Sequence, residues 1–168
     1  MDRDERQLLR YFTQLYFDRR IHQRFEKGAS LWMIRSVADG RLAGFGWSLQ
    51  GGTIEPYYFP LAPDDVHLFD FHVYEEYRGQ GLNPLLVGHI LSTVAREADG
   101  RAFIECAEWN EPQLASLKKT PFHRLGLVST TTLFRRVFTR WTDGSERNMR
   151  RSAEAKDEYL PIAGSHGR

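Results

Sequence analysis

A single cysteine, Cys106, stands in this chain of 168 residues, so no internal disulfide can close. That fits a reducing, cytoplasmic compartment. Charge of one sign is lacking too: 23 Lys and Arg against 22 Asp and Glu leave a net charge of +1. Bulk electrostatic attraction to nucleic acid or to an anionic membrane is therefore not expected, local patches apart. Long apolar runs are missing, since none approaches the roughly 20 residues of a membrane span. The start, Met1-Asp2-Arg3-Asp4-Glu5-Arg6, is too charged for a signal peptide. Internal repeats are not seen. What is present is an ordinary globular composition, 41% hydrophobic with 13% aromatic residues, enough for one domain with a real core.

From about Glu5 to Lys27 the pattern is helical, with Leu8, Leu9, Tyr11, Phe12, Leu15, Tyr16, Ile21 and Phe25 near one broad face. A break near Asp18-Arg19-Arg20 divides it, and Gly28 ends it. Leu31–Val37 and Leu42–Trp47 read as a β-hairpin whose Asp39-Gly40 turn supplies positive φ values. Gly51-Gly52 opens a loop through Pro56, Pro60 and Pro63, carrying Tyr57, Tyr58 and Phe59. Val66–Val73 is β-branched and aromatic and reads as a strand. A helix follows from about Asn83 to Glu97, with Leu82, Leu86, Ile90 and Val94 at helical spacing, and Asp99-Gly100 stops it. Ala102–Ala107 is a further strand. Asn110 is placed to cap a helix, with Gln113 three residues on to answer it, and that helix must stop before Pro121. Leu127–Trp141 reads as one long strand or two short ones. The domain is set at residues 1–141 and a charged tail at 142–168. In the tail Thr142–Ser145 is a linker, Ser145–Leu160 a candidate exposed helix with Met149, Ala153 and Leu160 as a contact stripe, and Pro161–Arg168 disordered.

The most informative stretch is Val73-Tyr74-Glu75-Glu76-Tyr77-Arg78-Gly79-Gln80-Gly81-Leu82-Asn83-Pro84. It joins a strand end to a helix start through two glycines. Such a turn lets backbone amides face open space at the positive end of a helix dipole, which suits a phosphate; it also occurs as a plain tight turn. Its wording, Val-x-x-x-x-Arg-Gly-x-Gly, resembles motif A of the GNAT superfamily of N-acetyltransferases. Arg78 and Gly81 match the pattern, and Asn83 stands where Gly or Ala is usual. Asn83 is of a type that caps the following amides, and Pro84 suits a first helical turn.

That resemblance implies a fold of α/β (α+β) class: a single GNAT-like domain with a mixed, mostly antiparallel sheet flanked by helices. The element order here is helix(es)–β–β–β–α–β–α–β, with the family's first strand apparently missing. It further implies that the amides of Arg78, Gly79, Gln80, Gly81, Leu82 and Asn83 hold the pyrophosphate of acetyl-CoA as co-substrate. The Val73 amide would orient the thioester carbonyl, with Phe71, Asn110 and Phe122 as further cofactor contacts.

A second likeness lies downstream. Ile104-Glu105-Cys106-Ala107-Glu108-Trp109-Asn110 and Phe122-His123-Arg124-Leu125-Gly126-Leu127 are similar to the family's Leu-Glu-Val-Arg-x-x-Asn and Tyr-x-x-Leu-Gly-Phe phrases. Phe122 replaces a tyrosine that in many relatives protonates the departing thiolate; Ser116 is a candidate replacement, with an ordinary helix-surface serine as the alternative.

An amine must reach a thioester uncharged, so a base must accept its proton. Glu105 matches the glutamate that does this in amino-terminal acetyltransferases; a solvent-facing strand residue is the alternative. His67, Asp70 and His72 on the motif strand are rivals, and a neutral imidazole suits the task. Strand alternation places His67 on one face and Asp70 with His72 on the other, unless a bulge shifts them. Cys106 reads as a packing residue. His67 and His72 lack cysteine partners for zinc, so no metal is expected. Arg135, Arg136 and Arg140 read as the solvated side of an edge strand, with phosphate binding as the rival.

The acceptor implied is an amine, on an amino sugar, a small molecule or a protein, with no nucleic acid and no membrane insertion. A homodimer stays open. Two other readings stand beside the enzyme: a catalytically inactive GNAT-like module that binds CoA or a protein, and a structural interaction domain that binds no CoA.

Overall fold

Aromatic and small residues alternate along Leu42–Gln50, and this strand organises the sheet. The computed structural model describes residues 18–54, 58, 60–97, 100–133 and 136–143. These fall into two compact units, one within Met1–Glu55 and Leu61–Pro121, the other within Pro56–Pro60 and Phe122–Arg168.

The first unit carries a four-stranded sheet of β1 (Ser30–Arg35), β2 (Leu42–Gln50), β3 (Val66–Val73) and β4 (Ala102–Ile104), in that spatial order. The first three strands are antiparallel, and β4 runs parallel to β3. Helices α1 (Asp18–Glu26), α2 (Leu82–Glu97) and α3 (Glu111–Leu117) belong to the same unit, with a 3-10 turn at Glu75–Tyr77. The second unit holds the antiparallel pair β5 (Gly126–Leu133) and β6 (Arg136–Asp143). The mixed α/β class and the mostly antiparallel sheet flanked by helices are as the sequence implies.

Register sorts the side chains of the sheet into two layers. Leu31 faces Trp47, Met33 faces Phe45, and Leu49 faces His67. On this side Phe45, Trp47, Leu49 and Phe69 form a buried cluster with Ala29, and Ile21 of α1 packs against it. Phe45 and Trp47 are almost fully buried, and each such ring stabilises the fold by about 3 kcal/mol. The other side carries Trp32, Ser48, Val66 and Leu68, against which α2 lies. Its Leu86, Val87 and Ile90 are buried, while Leu85 faces out. Trp32 donates through Nε1 to Ser48 Oγ at 2.8 Å and meets the His89 ring edge-on at 5.9 Å.

The start of β3 is pinned by Asp65. This buried carboxylate accepts from the Arg101 guanidinium (2.8 and 3.1 Å), the Arg101 amide (3.1 Å) and the Ala62 amide (2.8 Å). The guanidinium beside it holds its pKa at about 2, against an ordinary 3.8.

Three local readings are corrected. The first hairpin closes through a longer loop, with Ser36 and Arg41 bonded at 2.9 Å, and only Gly40 has positive φ (66°). Asp39 instead accepts from the Arg41 amide (3.1 Å) and the Tyr77 hydroxyl (2.8 Å). The strand read as Ala102–Ala107 stops at Ile104. The Leu127–Trp141 stretch is two strands, and β6 runs through Asp143, into residues assigned to the linker.

The first half of the amino-terminal helix, the missing first strand, Tyr57, Phe59, Asp99, Arg135 and residues 144–168 lie outside the described residues. Among the described residues, no helix is long and apolar enough to cross a membrane, and no group of three or more His, Cys, Asp or Glu could hold a metal ion.

Candidate functional site

The pairing of β2 with β3 slips by one residue midway. Trp47 faces Phe69, but Phe45 faces His72, so β3 carries one residue more than β2 across this interval. The extra residue is Asp70, which has φ of 48°, the only positive value at a non-glycine among the described residues. This is a β-bulge. Opposite it, a Cβ on Gly46 would lie 2.5 Å from the Phe71 ring, so any side chain there would displace that ring.

The bulge has two effects. His72 turns to the face that carries His67 and Phe69, where it meets Phe45 at 5.6 Å and Tyr74 at 5.0 Å. His67 stacks on Phe69 at 5.1 Å. The histidines therefore share a face, against plain alternation. The second effect concerns the backbone. The Tyr74 amide donates to the Ala43 carbonyl of β2 at 3.0 Å. Neighbouring peptide groups point in opposite directions along a strand. The Val73 N–H and C=O thus face away from β2, and the Val73 carbonyl accepts from Arg78 Nε at 3.1 Å.

On that outer side β3 and β4 form a fork. β4 pairs only with Val66, His67 and Leu68; beyond them Phe69–Val73 has no strand partner on this side among the described residues. Glu105 is the first residue past β4. Its carboxylate lies 2.7 Å from Nε2 of His67, with His67 buried and the Glu105 side chain 41% exposed. Two candidates named separately from sequence thus form one dyad, anchored in the core and reaching solvent. His72 is partly buried, and burial followed by the Arg78 charge pushes its pKa below the ordinary 6.5, so its imidazole is neutral at pH 7. Asp70 is engaged by Arg24, a buried cation of α1 that lies over the rings of Trp47 (5.0 Å) and Phe69 (5.3 Å).

The glycine turn follows. Gly79 and Gly81 have φ of 77° and 75°, and a Cβ on either would meet nothing within 4 Å. The Gly81 carbonyl accepts from the Leu85 amide at 3.2 Å, which leaves the Leu82 and Asn83 amides without an intrahelical acceptor; Pro84 has no N–H to leave. An open turn with backbone donors at a helix start suits a phosphate group.

Asn83 does not cap this helix. Its Nδ2 donates to Gln113 Oε1 at 3.0 Å and Ser116 Oγ at 2.9 Å, tying the turn to α3. Ser116 is thereby a partner of the turn and only partly buried. Asn110 caps α3 as expected, accepting from the Gln113 amide at 3.2 Å, but the Gln113 side chain answers Asn83 instead of Asn110. Gln80 is exposed and Leu82 partly buried. Burial raises the pKa of the Cys106 thiol, which disfavours its thiolate. Phe122 belongs to the second unit.

Sequence reading missed Arg24, although a signal existed: Ile21, Arg24 and Phe25 share one helical face, so a cation sat within an apolar stripe. The link from Asn83 to Ser116 spans 33 positions and had no local signal.

The chain is similar to solved acetyltransferase structures at low identity. The Bacillus subtilis protein YycN, described as an acetyltransferase, is 16% identical with a TM-score of 0.52, covering 80% of this chain and 96% of its own. The aminoglycoside acetyltransferase AAC(6')-Ib in complex with coenzyme A is 14% identical with a TM-score of 0.53, covering 82% of this chain and 76% of its own. The same enzyme with coenzyme A and kanamycin matches with a TM-score of 0.53 and 14% identity, over 82% of this chain and 77% of its own. At these identities the likeness is one of fold. No curated protein sequence matches. The model of the acetyltransferase (GNAT) family matches residues 2–122, and with the fork and the glycine turn in place the chain belongs to that family.

Proposed function

We propose that this protein is a cytoplasmic N-acetyltransferase that uses acetyl-CoA to acetylate an amine, on an amino sugar, a small molecule or a protein. One observation carries the reading. At the end of β3 the chain presents an outward Val73 amide, an open glycine turn and a glutamate–histidine dyad.

Acetyl-CoA, when bound, supplies an acetyl thioester and a pyrophosphate. The amides of Gly79, Gln80, Gly81, Leu82 and Asn83 are the proposed pyrophosphate donors, with Arg78 bracing the strand end through the Val73 carbonyl. The Val73 N–H is a fixed dipole suited to stabilise negative charge on a carbonyl oxygen. Phe71 and Asn110 remain assigned to the cofactor side.

The Glu105 carboxylate accepts the proton of the attacking amine. His67, hydrogen-bonded to it at 2.7 Å, holds the carboxylate and shares the charge. Attack by the amine would form the nitrogen–carbon bond and break the carbon–sulfur bond; CoA then leaves as its thiolate and takes a proton from solvent, so no covalent enzyme species is required. His72 and Asp70 share this end of β3, His72 neutral and Asp70 bound to Arg24, and neither approaches Glu105 as His67 does. Much of the rate is expected from holding donor and amine together.

The test is thiol release from acetyl-CoA across grouped amine acceptors, with Glu105→Gln beside the wild type. Glu105→Gln is expected to lower turnover about 100-fold while CoA affinity stays within about twofold. Unchanged turnover over the full pH range would remove Glu105 from the mechanism. Thermal stabilisation by acetyl-CoA without thiol release from any amine would support the inactive-module reading instead.

A further inference from the structure

The positive φ of Asp70 and the burial of Arg24 are separate oddities that meet in one ion pair. A φ of 48° is uncommon within a strand even for Asp, which visits the left-handed region more readily than most residues, and it persists where its surroundings favour it. An arginine that is 4% exposed needs a counter-charge for its guanidinium. Arg24 supplies the hold and Asp70 the counter-charge, across 46 positions of sequence. The rings of Trp47 and Phe69 fix the guanidinium from the side, at 5.0 and 5.3 Å.

We propose that Arg24 and Asp70 form a latch that fixes the bulge in β3, and that the latch decides which amide at the strand's end faces the fork. The Val66 amide donates to the Arg101 carbonyl and so faces the β4 side. Val73 lies an odd number of residues further on, so strict alternation would turn its N–H toward β2. The extra residue at Asp70 reverses this. Without the bulge the Tyr74 amide would face the fork, and His72 would leave the face of His67 and Phe69. Arg24 and Asp70 are thus positioning residues that act through Val73, and Asp70 is not a base. The catalytic part of this inference rests on the acetyl-transfer reading above; the structural part does not.

Arg24→Met, Asp70→Val and Asp70→Asn test it by amide hydrogen exchange read by NMR and by steady-state kinetics. In the wild type the Tyr74 amide is protected and the Val73 amide exchanges freely. Val cannot hold a positive φ, and Met removes the cation; both variants are expected to shift protection from Tyr74 to Val73. Both should lower kcat at least about tenfold, with the Kd for CoA within about twofold. Asn tolerates the left-handed region and still accepts from Arg24 but lacks the counter-charge, so Asp70→Asn is expected to lower the melting temperature while keeping the wild-type exchange pattern and a kcat within about threefold. A base at Asp70 would instead lose turnover in Asp70→Asn.

Should Asp70→Val not fold, Arg24→Met carries the test, since an apolar side chain of similar length is tolerated at buried ion-pair sites. Arg24→Met with wild-type exchange and wild-type kcat overturns the latch. A wild type that releases no thiol with any amine defeats the acetyl-transfer reading alone, and the exchange pattern then still decides the latch.

Discussion

The two ends of β3 do opposite work. Its first three residues, Val66–Leu68, are buried and lie between β2 and β4, with the Asp65–Arg101 network at their start. Its last five, Phe69–Val73, are bulged, only partly buried beyond Phe69, and without a strand partner on the outer side among the described residues. The paired end holds the fold. The split end presents the Val73 amide and the Glu105–His67 dyad, and the acetyl-transfer reading proposed above puts its chemistry there. Proteins draw functional segments from their less paired regions because a saturated ladder has no group to offer.

This contrast predicts that damage at the paired end lowers stability and damage at the split end lowers activity. The largest effect is expected from Asp65→Ala, which removes the buried acceptor of the Ala62 and Arg101 amides. It should cost about 2 kcal/mol of unfolding free energy, read from denaturant titration. The same group sets an acid limit. Its folded pKa of about 2 lies below the ordinary 3.8, so its contribution is complete above pH 4 and is lost as pH falls toward 2. Asp65→Ala should flatten this part of the melting-temperature profile, and an unchanged profile would assign acid lability elsewhere.

Gly81→Ala comes next. Its backbone sits at φ of 75°, where an alanine is strained by about 1–2 kcal/mol. The turn should shift, and acetyl-CoA affinity by calorimetry should fall about tenfold with the melting temperature nearly kept. A melting loss without any affinity loss would make the turn structural only. The smallest effect belongs to Asn83→Ala, which unties α2 from α3 at the cost of two hydrogen bonds. About 1 kcal/mol of stability should go, together with a severalfold rise in the KM for acetyl-CoA. Equal KM values in the variant and the wild type would mean that α3 does not steady the turn.

The elements were legible where the signal is local. The span of β3, the helix begun beside Pro84, the Asn110 cap and the stop before Pro121 follow from periodicity and from single-residue stereochemistry. The hairpin loop was misjudged because Asp39 bonds the Arg41 amide and Tyr77 instead of taking positive φ. Asn83 was misjudged for a similar reason: its partners lie on another helix. Glu105 and His67 were each legible as candidate bases, yet their pairing was not, since it depends on β4 running parallel to β3 for only three residues.

The amino-acid sequence by itself determined which groups this protein has to work with. The glycines that permit positive φ, the proline that fits a helix start, and the glutamate and histidines near a strand end all act through covalent chemistry and local conformation. Only the tertiary structure decided where those groups face. One extra residue in β3 reverses every side chain and amide after it, because a strand repeats every two residues. The structure joins that bulge to Arg24 on another helix, an ion pair between groups distant along the chain.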